Sequence, residues 1–412
     1  MRCCGALLPR GQGGRRCVLL AITVLTVLFL HLLVHRQVVE PLIFLRQWAD
    51  VGERVPVGEV LQVTSGSPST TPPRQSTVKN ESKATTVKKD DPFKNQVILN
   101  KWPPKVKFPL MLFNNPGRLG NRLSSYAFAL TFHAAHNATA TTAVTRDSMN
   151  QLVALLDTAY LTLPVVDGNL IKEAKNKKAH VSVGIPSWKK NDMVSHLEPA
   201  YQRGEKEYRE SGKPKMYSLK GYPNRMYMLA GHHHTIRAAF RFKEDLKQKV
   251  AKFLEGVRQK RGRRDITFVG FHIRRTDYRR VIKSFFKCTS PLPGLAFYQS
   301  AMNHYRATLR NPVFVVASDD LSYARQHLNT STDVEFTDMK TAAEDMVLLG
   351  SCSHSIMTVG SFGFWASFFA GGQVVYPLIT NCTLKPFVHP DHLGPRGYEN
   401  WKAFDTDGGG PV

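Results

Sequence analysis

Acidic residues are scarce in this 412-residue chain: 32 Asp and Glu stand against 56 Lys and Arg, a formal net charge of +24. Cysteine is rarer still, and 6 in a chain of this length cannot make a disulfide scaffold. The 29 glycines and 24 prolines are near average usage and follow no period, which excludes collagen-like and Pro-rich fibrous classes. Repeats of the solenoid or propeller kind are missing too. What is present argues for a folded protein. With 42% hydrophobic and 10% aromatic residues the chain is not wholly disordered, and its length allows two or three domains of roughly 100 to 200 residues. The surplus of positive charge calls for an anionic partner, and composition alone leaves nucleic acid, membrane and substrate open.

One apolar run stands out. Cys17 to Val34 (CVLLAITVLTVLFLHLLV) holds no formal charge, and at ~1.5 Å per residue it just spans a thin bilayer. Arg2, Arg10, Arg15 and Arg16 precede it with no acid, so the positive-inside rule keeps the N-terminus cytosolic and sends the rest into the lumen. The expectation is a cytosolic tail at 1–16, a single-pass type II signal anchor at 17–34 and a stem at 35–106. A cleaved signal peptide competes, but the run exceeds a usual h-region of ~7 to 15 residues and no small-x-small site follows it. A buried core helix would show a polar face, and this stretch has none. A lumenal chain makes nucleic acid a poor partner. Cys3, Cys4 and Cys17 fall on the cytosolic side or at the membrane edge, where palmitoylation and inert cysteine are both open.

Gln62 to Asp91 is rich in Ser, Thr, Pro and Lys and cannot bury enough surface to offset its ordering entropy, the mark of an extended linker. Asn80, Asn137, Asn329 and Asn381 head Asn-x-Ser/Thr sequons, all on the expected lumenal side.

The folded part is expected from Lys107. Leu110 to Phe113 reads as a strand, Asn114 to Asn121 (NNPGRLGN) as a turn, and Leu123, Tyr126, Ala127, Leu130 and Ala134 fall at helical spacing. A glycine loop opening a helix presents N–H groups at the positive end of the helix dipole, although a lone G-x-x-G is more often an ordinary turn. Ile266 to Ile273 (ITFVGFHI) suits a central parallel strand, and at its carboxyl end stand His272, Arg274, Arg275 and Asp277. Ligands collect at the carboxyl ends of strands in open α/β sheets, and the arginine fork grips phosphate oxygens bidentately. Asp277, three residues after Arg274, is placed to orient one guanidinium and leave the other for ligand. A solvated basic loop is the plain reading. Further strands at Val313 to Ala317, Ser355 to Val359 and Gln373 to Tyr376 alternate with helices at Ala342 to Gly350 and Phe364 to Ala370, the signature of a doubly wound α/β sheet. The Gly360-Ser361-Phe362-Gly363 turn is a second candidate phosphate cradle.

Metal sites read poorly. His232, His233 and His234 are adjacent and do not converge on one ion, so they are expected in an exposed loop. Asp405-Thr406-Asp407 lies in a Gly-rich tail with no strand expected before it, which reads as disordered. Cys288, Cys352 and Cys382 are odd in number; one bridge plus a free thiol is simplest, with an intermolecular bridge open.

The segments GRLGNRLSSYA (Gly117 to Ala127), VGFHIRRTDY (Val269 to Tyr278), VASDD (Val316 to Asp320) and Glu344 to Gly372 closely resemble the galactoside alpha-1,2-fucosyltransferases, in the family's order and over most of the chain from Lys107 onward. The resemblance implies an α/β fold of two facing Rossmann-like domains of GT-B type, an acceptor-side domain at 107–262 and a GDP-fucose-binding domain at 263–412. It also implies inversion at the anomeric carbon, no metal or other cofactor, and a Golgi membrane location behind the anchor and stem. GDP-fucose is then the donor and a galactose-terminated glycoprotein or glycolipid glycan the acceptor, with a homodimer left open. By the same resemblance Arg274 holds the donor's β-phosphate, His272 lies near the nucleoside, and Arg275 and Asp277 support the cluster. Asp345 reads the guanine edge, Ser361 and Phe362 form the phosphate-contacting turn, and Gly117, Gly120 and Asn121 line the acceptor side. Thr276 departs from the family, where many relatives carry Gly, and no residue is marked as the general base. Two other readings compete. A Golgi sulfotransferase would carry a Lys/Ser phosphate loop after its first strand, and Asn114 to Asn121 has neither residue. A catalytically inactive sugar-binding relative would have lost donor contacts that are present here.

Overall fold

The computed structural model describes residues 92–114, 117–183, 194–221, 226–290, 292–329, 331–383, 393 and 397–412. The expected anchor at 17–34, the tail before it, most of the stem and Asn80 lie outside these residues. Among the described residues no helix is long and apolar enough to cross a membrane.

Two six-stranded sheets, parallel throughout, are built from short apolar strands of the kind that must be covered on both faces. The first contains β1 (Ile98–Leu99), β2 (Leu110–Asn114), β3 (Thr141–Thr145), β4 (Val165–Val166), β5 (His180–Val183) and β6 (Met216–Lys220) in the order β1-β4-β3-β2-β6-β5. Its central strand β2 is fully buried from Leu110 to Phe113 and leads into helix α1 (Leu119–His136). Helices α2 (Arg146–Leu155), α3 (Gly168–Asn176), α4 (Val194–Ser211), α5 (His233–Ala239) and α6 (Glu244–Lys260) follow in chain order. Thr145 and Asp167 cap α2 and α3 by accepting hydrogen bonds from Ser148 N and Asn169 N.

The second sheet holds β7 (Thr267–Ile273), β8 (Pro312–Ser318), β9 (Val334–Phe336), β10 (His354–Met357), β11 (Val374–Leu378) and β12 (Trp401–Asp405). Its order, β9-β8-β7-β10-β11-β12, places the strands 3-2-1-4-5-6 by appearance, the arrangement of dinucleotide-binding sheets. Between them run α7 (Leu295–Thr308), α8 (Leu321–Leu328), α9 (Ala342–Gly350) and α10 (Ser361–Ala370). The pleat of β7 divides its side chains. Val269, Phe271 and Ile273 join the buried cluster formed with Phe297, Tyr298 and Tyr305 of α7. Gly270 and His272 face the other way, and a Cβ on Gly270 would stand 3.1 Å from the Leu349 carbonyl of α9.

Three expectations need correction. The fold begins before Lys107, inside the segment read as stem: Ile98 and Leu99 pair with Val165 and Val166, and Phe93, Leu99 and Trp102 are buried. Single apolar residues spaced among Lys and Pro carry no period, so a two-residue edge strand leaves no signal. The Gly-rich tail is ordered around β12, which pairs with β11 from Trp401 to Asp405, and Asp405 ends that strand by accepting from Asp407 N. The histidine triplet is no exposed loop, since His232 is buried and His233 packs edge-on to Phe368 and Tyr398. Burial pushes His233 down to about 4, so it is neutral near pH 7.

Candidate functional site

In the second sheet the strand order turns back between β7 and β10, the point where such sheets bind ligands. Both strands end there in polar residues. The Arg274 amide donates to Thr358 Oγ1 at 2.9 Å and the Thr358 amide donates to the His272 carbonyl at 3.1 Å, so the two loops are laced together. The Arg274 guanidinium is held by Asp277 through Nε at 3.1 Å and Nη2 at 2.7 Å to both carboxylate oxygens, and it lies over the Tyr278 ring. This fork is pre-oriented before any ligand arrives. Arg275 departs to the other side, over the Tyr323 ring at 3.5 Å and 3.4 Å from Asp320. Asp277 therefore serves Arg274 alone of the pair.

Asp319 fixes the loop between them. Its carboxylate accepts from the Arg275 amide at 2.8 Å, the Thr276 amide at 3.3 Å and the Thr276 hydroxyl at 2.6 Å. The Thr276 side chain thus adds a tie that glycine could not make. His272 is buried against Phe362, and burial, then the nearby Arg274 charge, push it down to about 3. It is a neutral imidazole at any working pH, and its Nδ1, without a hydrogen-bond partner among the described residues, faces Gly363, where a Cβ would stand 2.7 Å away.

The turn after β10 needs its glycines. Gly360, with φ of +116°, starts α10, and a Cβ there would stand 3.1 Å from the Tyr278 hydroxyl. Across from this turn lies the glycine loop of the first sheet. A Cβ on Gly120 would stand 2.6 Å from the Phe362 amide nitrogen, and one on Gly117 would run into the Asn121 side chain. Ser361 Oγ donates to Asn121 Oδ1 at 2.6 Å, and Trp365 Nε1 donates to Ser124 Oγ at 2.8 Å. The two motifs, 240 residues apart, thus form one continuous surface. Glycine at position 120 is there for close approach of two backbones rather than for an anion.

Sequence reasoning missed four residues here. Arg122 is buried, bonds the Gly117 carbonyl through Nε at 2.7 Å and reaches Asp147 at 2.8 Å, bracing the loop from behind. Arg118 is exposed and points across the gap, 3.9 Å from Asp277. Asp319 and Thr358 complete the set. Their signals were present as VASDD and MTVGSFG, but the cross-strand geometry that gives them work is not visible in one dimension.

Asp345 lies in the first turn of α9, whose cap is a full box: Thr341 Oγ1 accepts from Glu344 N and the Glu344 carboxylate accepts from Thr341 N. Thr337, just past β9, donates to Asp345 Oδ1 at 3.0 Å. Burial nevertheless raises Asp345 to about 6, with Glu344 adding to the shift and Thr337 opposing it. A half-buried acceptor at the carboxyl edge of the same sheet is suited to a base or amide edge bearing donors. No group of three or more His, Cys, Asp or Glu among the described residues is placed to hold a metal ion. Of the sequons, Asn137, Asn329 and Asn381 are all exposed. Cys288 is bonded to Cys382, and Cys352 is free and buried.

A dinucleotide-type sheet, arginines at its switch point and a glycine loop packed opposite define an α/β site for a pyrophosphate-bearing ligand. Glycosyl transferase family 11 matches residues 176–399, more than half of the chain, and the chain belongs to that family. It is 31% identical to Galactoside 2-alpha-L-fucosyltransferase SEC1 of Bos taurus, covering 66% of this chain and 67% of that protein. It is 32% identical to Galactoside alpha-(1,2)-fucosyltransferase 1 of Bos taurus over 65% of this chain and 68% of the relative. Among solved structures, a variant of Arabidopsis thaliana FUT1 in complex with GDP aligns with a TM-score of 0.44 at 13% identity, over 72% of this chain and 75% of that one.

Proposed function

We propose that this chain transfers L-fucose from GDP-fucose to the 2-hydroxyl of a terminal β-galactose on a glycoprotein or glycolipid glycan, with inversion and without a metal. The observation that carries the reading is the Arg274 fork, held by Asp277 at the switch point of the second sheet, with Arg118 of the first sheet's glycine loop 3.9 Å from the same carboxylate. As the glycosidic bond to the β-phosphate breaks, negative charge builds on the departing GDP. A guanidinium already aimed there stabilises that charge without reorganising at the moment of reaction. Asp345 as an anion accepts from the guanine edge, neutral His272 lies beside the nucleoside, and the Gly360 to Gly363 turn receives the phosphates. The galactose enters from the side of Gly117, Gly120 and Asn121. Nearby carboxylates are engaged: Asp277 by Arg274, Asp319 by the loop amides, and Asp320 by the first turn of α8 and by Arg275.

The architecture proposed for this chemistry is of GT-B type, the first sheet on the acceptor side and the second on the donor side. The anchor at 17–34 and the basic residues before it support a single-pass type II protein of the Golgi membrane with its catalytic part lumenal. The test is to incubate the full chain, solubilised in detergent, with a panel of radiolabelled sugar nucleotides and a β-galactoside acceptor. Label is expected to transfer from GDP-fucose alone and to transfer fully in EDTA. Loss of turnover on chelation, restored by manganese, overturns the metal-free part.

A further inference from the structure

The helical segment after the arginine cluster carries more positive charge than the donor requires. Tyr278–Arg280 is a single helical turn beginning directly after Asp277, and it continues through Val281–Phe285. Arg279, Arg280 and Lys287 are exposed, and none forms an ion pair among the described residues. Lys283 is exposed as well, donates to the Ser290 carbonyl at 3.0 Å, and forms no ion pair among the described residues. Among the described residues the acids of this cluster are already committed, Asp277 to Arg274, Asp320 to Arg275, and Asp319 to the amides and hydroxyl of its loop. A sugar-nucleotide pyrophosphate brings two negative charges, which the proposed site meets with Arg274 and the Gly360 to Gly363 turn, Arg275 being turned away onto Tyr323 and Asp320. Arg118, 79% exposed and 3.9 Å from Asp277, adds a further cation from the glycine loop beside the same carboxylate.

We infer that the rim formed by Arg279 and Arg280 binds an anionic substituent on the acceptor, so that the preferred acceptor is a galactoside bearing a sulfate or carboxylate near its terminal galactose. The inference rests on the proposed function and adds the charge class of its acceptor. One helical turn is ~5.4 Å, so positions 279 and 280 leave the backbone within a single turn of Asp277, the residue that holds Arg274. Exposed charges of this kind favour encounter and selection rather than tight binding, and their effect is screened by salt.

The test uses the full chain in detergent with three soluble acceptors: a neutral β-galactoside disaccharide, the same disaccharide sulfated on the penultimate sugar, and a carboxylated counterpart. Binding is titrated in the presence of GDP, and transfer kinetics are measured in parallel. At low salt the charged acceptors should bind roughly three- to tenfold more tightly than the neutral one. That ratio should fall toward one between about 50 and about 500 mM salt, and also in the Arg279→Gln, Arg280→Gln double variant. A sulfate-only or carboxylate-only advantage identifies the anion. Equal binding of all three acceptors overturns the inference, as does an advantage that survives the double substitution. Equal binding together with attachment to anionic vesicles that the substitution abolishes also overturns it, and assigns the rim to the membrane surface. A salt-sensitive binding preference with no fucosyl transfer to any acceptor upholds the charged rim and sinks the proposed reaction instead.

Discussion

Arg274 and Arg275 are neighbours with opposite surroundings, and their replacement should separate accordingly. Arg274→Ala removes a donor preorganised for charge that develops only as the bond breaks, so kcat/KM should fall by roughly 10²-fold or more. Arg274→Lys should recover little of that, because a point ammonium cannot make the two-point contact of the fork. Arg275 is 46% exposed and rests on Tyr323, so Arg275→Ala should cost under about 1 kcal/mol and show in thermal melts more than in turnover. Kinetics and melts of the three variants measured together decide the matter, and a folded Arg274→Ala protein with near-normal turnover transfers the role to Arg275. Asp345 gives a prediction in pH. Its folded value, about 6, lies above the ordinary 3.8, so the folded chain holds an extra proton between those limits and this group's contribution to stability declines as pH rises through that window. Guanine recognition needs the anion, so the KM for GDP-fucose should rise as pH falls below about 6. Asp345→Asn should abolish that pH dependence, and a pH step that persists in the variant removes Asp345 from donor binding.

Elements of this fold meet through backbone as much as through side chains, and the glycines test that. Gly120→Ala would drive a methyl group against the Phe362 amide and the Ser361 carbonyl carbon, both 2.6 Å from the added carbon, and backbone cannot yield as a flexible side chain does. The expected result is a chain whose first helix no longer docks on α10, with a lowered Tm and little activity. A stable, active Gly120→Ala enzyme would show that the loop and the turn are not in contact. Much of this region was legible in the sequence. The strand from Thr267 to Ile273 and the helix from Ala342 to Gly350 stand out by composition and period, and Arg274 is marked by its place at a strand's carboxyl end. The edge strands β1 and β12 were not legible, since two apolar residues among lysines, or a Trp-Lys-Ala-Phe-Asp without strict alternation before a Gly-rich end, fall below what period can resolve. Nor could spacing show that Ser361 would meet Asn121, because contacts 240 residues apart depend on how the sheets pack.

At the scale of the whole molecule, the sequence favoured one bridge and a free thiol among the three cysteines after the stem without saying which two pair, and the structure joins Cys288 to Cys382 across 94 residues. The bond ties the basic segment that follows the arginine cluster to the end of β11, so the helical rim and the second sheet are held by one covalent link. Closing a loop of that length restricts the unfolded chain by an amount worth about 4 to 5 kcal/mol in the chain-entropy account. Cys288→Ser should therefore lower Tm by several degrees, and reduction of the unsubstituted chain should reproduce the loss. Cys352 behaves differently, because burial alone pushes its thiol up to about 12 and keeps it protonated and shielded from reagents. Alkylation distinguishes this pairing from every other. In a chain with Cys3, Cys4 and Cys17 changed to Ser, iodoacetamide should leave the folded protein unmodified. It should add one group after denaturation without reductant and three after denaturation with it, as one buried thiol and one intrachain bond require. A reductant-sensitive dimer on a denaturing gel would mean an intermolecular bond, and a mass with one group added in the folded state would mean that Cys352 is reachable.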